Sequence, residues 1–294
     1  MTFLSGFIAI VGPPNVGKST LLNRILGKKI AIVSPKPQTT RNRITGIYHE
    51  EDCQMVFMDT PGIHRTQTPL HRSMVNSAQS AFKEVDLLVL MIEMLHPQAP
   101  EIPMILSSIR KSKKPSVLVI NKIDKGPKEE LLPIIAAYNE TRSFKSIIPI
   151  SALTGDGVPS LLRELKAMLR EGPAFFPEDV QTDQSESFLI SEMIREKIFL
   201  HTRQELPYSS AVTVERLEEL PQKNLVSISA RIHVETESQK GILIGQGGKM
   251  IKKIGQAARE DLESFFGSRV FVELLVRVDK NWSKDPRTLR RLGY

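Results

Sequence analysis

The chain has 294 residues, 40% of them hydrophobic, a net charge of +7 and a single cysteine, Cys53. That length favours two domains over one, and one thiol excludes an intrachain disulfide and fits a reducing compartment. No apolar run reaches the roughly 18–20 residues of a transmembrane helix, and the opening residues lack the basic start and cleavage site of a signal peptide, so a cytoplasmic protein is expected.

In chain order, short apolar runs at 7–11, 54–58, 87–92, 117–120 and 147–150 read as buried strands. Helical patterns at 18–26, 69–85, 100–111, 129–138 and 158–169 separate them. The alternation predicts an α/β domain over 1–171, a mainly parallel sheet with helices on both faces. Two prolines and a glycine in an acidic stretch mark 172–185 as a linker. The spacing then predicts an amphipathic helix over 186–204, strands over 209–217 and 225–234, helices over 239–244 and 249–266, and a strand over 269–278. That order defines an α+β module over 186–278, and a basic tail, 279–294, follows it. Net charge is +7 over 1–171, −6 over 172–239 and +6 over 240–294. The second module is therefore polarised along its sequence, which suits a nucleic-acid face near the chain end.

Four segments carry chemistry in the first domain. Gly12, Pro13, Pro14, Asn15, Val16, Gly17, Lys18 and Ser19 form a Walker A loop between an expected strand and an expected helix. Its glycines let backbone N–H groups turn in around phosphates, the helix N-terminus adds positive charge, Lys18 reaches the terminal phosphates and Ser19 can ligate Mg²⁺. Thr20 follows on the same helix start as a further nucleotide contact. Asp59, Thr60, Pro61 and Gly62 end the strand over 54–58, where Asp59 can hold the metal and the Gly62 N–H can sense a γ-phosphate. Upstream, Gln38, Thr39, Thr40 and Arg41 lie in a polar loop, and Thr40 can offer the metal a second hydroxyl. Asn121, Lys122, Ile123 and Asp124 close the strand over 117–120. The Asp124 carboxylate can accept from guanine N1–H and its exocyclic amine, groups that adenine does not match. Ser151, Ala152 and Leu153 follow the strand over 147–150, where the Ala152 N–H can meet guanine O6.

Together these segments resemble the motif set of translation-factor-class GTPases, which implies a Ras-like P-loop domain, GTP and GDP as ligands and Mg²⁺ as cofactor. Many such GTPases carry a water-orienting Gln after the Asp-x-x-Gly glycine. Here that residue is Ile63, and the next, His64, reads as a loop histidine. The Asn15 pattern resembles Era- and MnmE-like GTPases, in which the resemblance implies that K⁺ assists slow hydrolysis. Lys18, Thr40, Gly62 and Asn15 are thus the expected catalytic set.

In the second module, Gly245, Gln246, Gly247 and Gly248 make a Gly-x-x-Gly turn between helices, with Lys249, Lys252 and Lys253 following. This resembles a type II KH domain, which implies a clamp on about four nucleotides of single-stranded RNA. Its loop interior is neutral where KH loops usually carry a basic residue. Trp282 can stack on a base or anchor the tail. A P-loop domain followed by a KH domain resembles the Era family, bacterial ribosome-assembly GTPases. The resemblance implies binding to the 3′ end of small-subunit ribosomal RNA on the pre-30S particle, and peripheral contact with the inner face of the cell membrane. The competing expectation is a relative acting in tRNA modification or membrane-linked signalling, whose second domain binds protein.

Overall fold

The computed structural model describes residues 2–34, 36, 39–62, 74, 80, 82–292 and 294. The described chain forms two compact units. The first comprises described residues of Met1–Ala31, Thr40–Thr66 and Ser73–Asp183, and the second those of Ile32–Thr39 and Gln184–Tyr294.

The first unit is built on β1 (Leu4–Val11), β2 (Ile44–Glu50), β3 (Cys53–Asp59), β4 (Leu87–Glu93), β5 (Ser116–Asn121) and β6 (Ser146–Pro149), in the order β2-β3-β1-β4-β5-β6. All pairings along this path are parallel except β2 with β3. Among the described residues, helices α1 (Lys18–Leu26), α2 (Ile102–Ser112), α3 (Leu131–Glu140) and α4 (Val158–Ala167) accompany the sheet. Ile8, Ile10, Leu88, Leu90, Leu118 and Ile120 are fully buried, as strands covered on both faces require. Strand order reverses direction at β1, and in such sheets ligands bind outside the carboxyl ends of the strands. The expected helix over 69–85 lies largely outside the described residues; Met74, Ser80 and Phe82, Lys83 and Glu84 within it are helical.

Two sequence expectations change here. Strand β2 was not foreseen, because Gly46 interrupts its apolar pattern. The glycine is needed there: a Cβ would come within 2.6 Å of the side chains of Leu22 and Leu26 on α1. The expected linker is bound for most of its length. Gln54 accepts from the N–H groups of Phe175 and Phe176, the Gln181 carbonyl accepts from Ile47 N–H, and Thr182 Oγ1 donates to the Thr45 carbonyl. Residues up to Asp183 consequently group with the first unit, and β7 (Arg170–Glu171) pairs antiparallel with β1.

The second unit runs α5 (Glu186–His201), β8 (Ala211–Leu220), β9 (Leu225–Val234), α6 (Glu237–Ile244), α7 (Lys249–Phe266), β10 (Arg269–Val278) and α8 (Pro286–Arg291). Its sheet has the order β10-β9-β8, with β9 parallel to β10 and antiparallel to β8. The parallel pair needs a crossover, which α6 and α7 supply. The core joins Ile194 and Ile198 of α5, Ile228 and Ile232 of β9, and Ile254 and Leu262 of α7. Helix α5 departs from its expected amphipathic form: Glu192, Arg195, Glu196 and Lys197 are as buried as its apolar residues.

The tail is docked rather than free. Trp282 is 1% exposed, its indole N–H donates to the Ser209 carbonyl at 3.0 Å, and Tyr294 lies 5.8 Å from its ring. This corrects Trp282 as a base-stacking residue, because a ring with no free face has none to offer. Trp282→Ala is expected to destabilise the second unit by about 3–5 kcal/mol in urea unfolding. An RNA-affinity loss without a stability loss would contradict this assignment.

Candidate functional site

Gly12 and Gly17 bracket the phosphate loop with positive φ, 158° and 103°, and Asn15 at its tip has φ 60°. A Cβ on Gly17 would lie 2.4 Å from Asn121 Nδ2, so only glycine lets the loop approach the base-recognition strand so closely. Helix α1 starts directly after Gly17 without a side-chain cap, leaving its first N–H groups for a ligand.

Lys18 is 6% exposed, and its ammonium donates to the Gly12 and Pro13 carbonyls at 3.1 and 2.9 Å. Asp59, at the end of β3, has no exposed surface. Its Oδ2 accepts from Ser19 Oγ at 2.6 Å and Thr40 Oγ1 at 3.4 Å, and the two hydroxyls lie 2.9 Å apart. Asp59 Oδ1 is buried with no hydrogen-bond partner. An orphan carboxylate oxygen beside two hydroxyls is an all-oxygen donor set of the kind Mg²⁺ takes, so Ser19, Thr40 and Asp59 fit the metal. Burial pushes the Asp59 carboxyl up from its usual 3.8 to about 6, against the attraction of Lys18. Burial likewise holds Lys18 down to about 8, against the attraction of Asp59. Both groups are thus poised to gain from a ligand that brings opposite charge to each. Gly62 is buried close against Pro14, where a Cβ would meet backbone atoms at 3.0 Å. Ile63 and His64 lie outside the described residues.

The residues expected to recognise the base converge through Asn121. Its Nδ2 donates to the Val16 carbonyl at 2.7 Å and its Oδ1 accepts from Ala152 N–H at 2.9 Å. It therefore ties the phosphate loop to the loop after β6. Asp124 accepts from Ser151 Oγ at 2.6 Å, which fixes the carboxylate. Lys122 pairs with Glu93 at 2.7 Å. Thr20, Ala152 and Leu153 line one cleft of about 310 Å³ together with Arg24. Arg24 was not foreseen; its guanidinium donates to the carbonyls of both Ala152 and Leu153. Only long-range packing brings it there, so no local spacing could have revealed it. Elsewhere in this unit Glu50, Asp52 and Cys53 converge, but the Lys166 ammonium bonds both carboxylates at 2.6 Å and occupies the place of a cation.

In the second unit the turn between α6 and α7 holds Gly245, Gly247 and Gly248 at φ 71°, 59° and 77°, with Gln246 between them. Gln246, Gly247, Lys249, Lys252 and Lys253 are exposed, and α7 begins after Gly248 uncapped. Beside it lies a cleft of about 560 Å³ that the sequence did not disclose. Ile251, Lys252, Gly255, Gln256 and Arg259 of α7 form one wall, and Val270, Phe271, Val272 and Leu274 of β10 the other. Residues four apart on a helix share a face, which puts 251, 255 and 259 in one row opposite β10. A Cβ on Gly255 would already touch Leu274 at 3.5 Å, so glycine keeps the cleft open. Apolar walls for bases with cations at the rim suit a single nucleic-acid strand.

Residues 7–122 match the 50S ribosome-binding GTPase family, and residues 205–283 match the KH domain family. The chain is 56% identical to GTPase Era of Syntrophus aciditrophicus, over 99% of this chain and 95% of that one. It is 52% identical to GTPase Era of Geotalea uraniireducens, over 99% and 98%. A crystal structure of an Aquifex aeolicus Era variant bound to GDP·AlF4⁻ superposes with a TM-score of 0.96 at 39% identity, covering 99% of both chains. A crystal structure of Era with MgGDPNP and nucleotides 1506–1542 of 16S ribosomal RNA gives the same score, identity and coverage.

The raised Asp59 pKa has a definite sign in the nucleotide-free protein. The fold binds a proton more tightly than the unfolded chain, so this group favours folding most below about pH 4 and loses that advantage as pH rises through about 6. Asp59→Asn is therefore expected to raise the melting temperature of nucleotide-free protein at neutral pH. The same variant should lose Mg²⁺-dependent affinity for GDPNP by about 10- to 100-fold. A variant that melts lower, or keeps its Mg²⁺ dependence, contradicts the account.

Proposed function

The chain belongs to the Era family of GTPases, and from that premise we propose that it is a GTP-hydrolysing switch that binds the 3′ end of small-subunit ribosomal RNA and assists assembly of the small subunit. The observation that carries the nucleotide half is the buried corner of Lys18, Ser19, Thr40 and Asp59, with its orphan carboxylate oxygen. Mg²⁺ held there would neutralise charge developing on the terminal phosphates. Lys18 adds a fixed positive charge, Gly17, Ser19 and Thr20 offer N–H groups at the head of α1, and the Gly62 N–H can sense the γ-phosphate. Asp124 accepts from the guanine edge and is fixed by Ser151; the Ala152 N–H, expected on guanine O6, is instead bonded to Asn121 Oδ1, and Lys122 and Leu153 flank the base.

Hydrolysis is slow in this reading, since the Ile63 side chain can neither donate nor accept a hydrogen bond. Asn15 is exposed at the loop tip, where its side-chain oxygen can help hold K⁺ and so offset charge at the bond being broken. Turnover should be faster in K⁺ than in matched Na⁺ buffer, and Asn15→Ala should remove the difference. Equal rates in the two salts would rule this out.

RNA is read by the cleft between α7 and β10, with Gly245, Gln246, Gly247 and Gly248 clamping the backbone and Lys249, Lys252 and Lys253 meeting phosphates. The Era complex with 16S ribosomal RNA supports that ligand class. The cationic rim of Lys252 and Arg259 favours a polyanionic strand over a protein ligand for this unit. No helix among the described residues is long and apolar enough to cross a membrane. The proposed place of action is the cytoplasm, on the pre-30S particle, with any contact to the inner membrane face peripheral.

Gly255→Leu tests the RNA half. The side chain fills the cleft while improving helix propensity, so the fold should hold. Affinity for a single-stranded 16S 3′ fragment, measured by fluorescence anisotropy, is expected to fall at least about tenfold with the loss of stacked bases. GTP affinity should not change. Full RNA affinity in the variant would remove the cleft from the interface.

A further inference from the structure

The segment Ile32–Thr39 lies in sequence between the phosphate loop and Thr40, yet its described residues group with Gln184–Tyr294. Contacts with α5 and the residue after it account for this. Glu196 Oε1 accepts from the Val33 N–H at 2.8 Å. The Lys36 ammonium donates to the carbonyls of Phe199 and Thr202, at the helix C-terminus where a cation is favoured. Arg195 Nη2 donates to the Thr39 carbonyl at 2.6 Å.

Arg195 is the strongest of these anchors. It is fully buried, makes a two-point bond to Glu192 at 2.6 Å through each nitrogen, and lies 5.2 Å above the Phe199 ring. Its Nη1 is buried without a hydrogen-bond partner. A guanidinium so placed has no water to fall back on, so moving the Thr39 carbonyl away would strand a second donor. Such an arrangement favours two discrete states, docked or open, over gradual drift.

The division between the units runs through the Thr39–Thr40 peptide bond. On one side a backbone carbonyl is clamped by Arg195; on the other, Thr40 Oγ1 lies 2.9 Å from Ser19 Oγ. We propose that Arg195 is a positioning residue for GTP hydrolysis: by holding the Thr39 carbonyl it sets Thr40 beside Ser19 and Asp59, and RNA bound to the second unit acts on the nucleotide through this latch. The second clause rests on the RNA-dependent switch proposed above, whereas the first does not.

The test compares full-length Arg195→Met and Lys36→Met with the natural chain, by GDP affinity, kcat and KM for GTP, and the factor by which Mg·GDPNP changes affinity for a 16S 3′ fragment. GDP has no γ-phosphate to engage Thr40, so its affinity should be retained. The kcat should fall at least about tenfold, as expected when a reacting arrangement is misplaced by about 1 Å. The RNA coupling factor should move towards one. Arg195→Lys keeps a donor for the carbonyl and should recover part of kcat. Retained kcat in a folded Arg195→Met overturns the proposal; if that variant does not fold, retained kcat in Lys36→Met overturns it. A natural chain without RNA coupling would sink the switch reading instead, leaving the kcat comparison to decide the role of Arg195.

Discussion

Lys18 and Asp59 are both removed from water at the carboxyl edge of one sheet, and the protein's own atoms do not fully satisfy them. Burial lowers the pKa of the ammonium and raises that of the carboxyl, so each charge is held at a cost that a magnesium-bound triphosphate offsets. Much of the first unit serves that corner. Strands β1 and β3 lie in parallel register, Ile10 opposite Asp59, and so deliver the phosphate loop and the metal-side carboxylate to one place. Asn121 then ties the phosphate loop to the segment expected to recognise the base.

The parts of this site that depend on local spacing were legible in the sequence. A Gly-rich loop between strand and helix, Asp59 at a strand end, and Asn121 to Asp124 at another are each dictated by backbone geometry over a few residues. The parts that depend on remote neighbours were not. Arg24 meets Ala152 and Leu153 across more than a hundred residues of chain, and Gly255 has meaning only once β10 lies opposite. Composition misled where burial overrode it. The polar residues of 172–185 suggested a free linker, but Gln54 and β2 bind them. The charges of α5 suggested a solvated face, but Glu192, Arg195 and Glu196 are buried, with Arg195 bonded to the Thr39 carbonyl and Glu196 to the Val33 N–H. Trp282 is the same lesson in reverse: a tail rich in lysine and arginine hides an aromatic anchor.

A helix with buried charges is costly unless each charge has a task. In α5, Arg195 and Glu196 bond the backbone of Thr39 and Val33, and the next residue, Thr40, bears the hydroxyl beside Ser19 and Asp59. If Arg195 acts as proposed, its bond to the Thr39 carbonyl links the proposed RNA cleft to the nucleotide site. Binding free energy at one must then be felt equally at the other.

That reciprocity is the most direct measurement. Affinity for a 16S 3′ fragment would be determined with Mg·GDPNP and with GDP at fixed salt, and the affinity for each nucleotide with and without the fragment. The account predicts that the RNA preference for the GDPNP state and the RNA-induced gain in GDPNP over GDP are the same factor, different from one. A factor of one in both directions would contradict it.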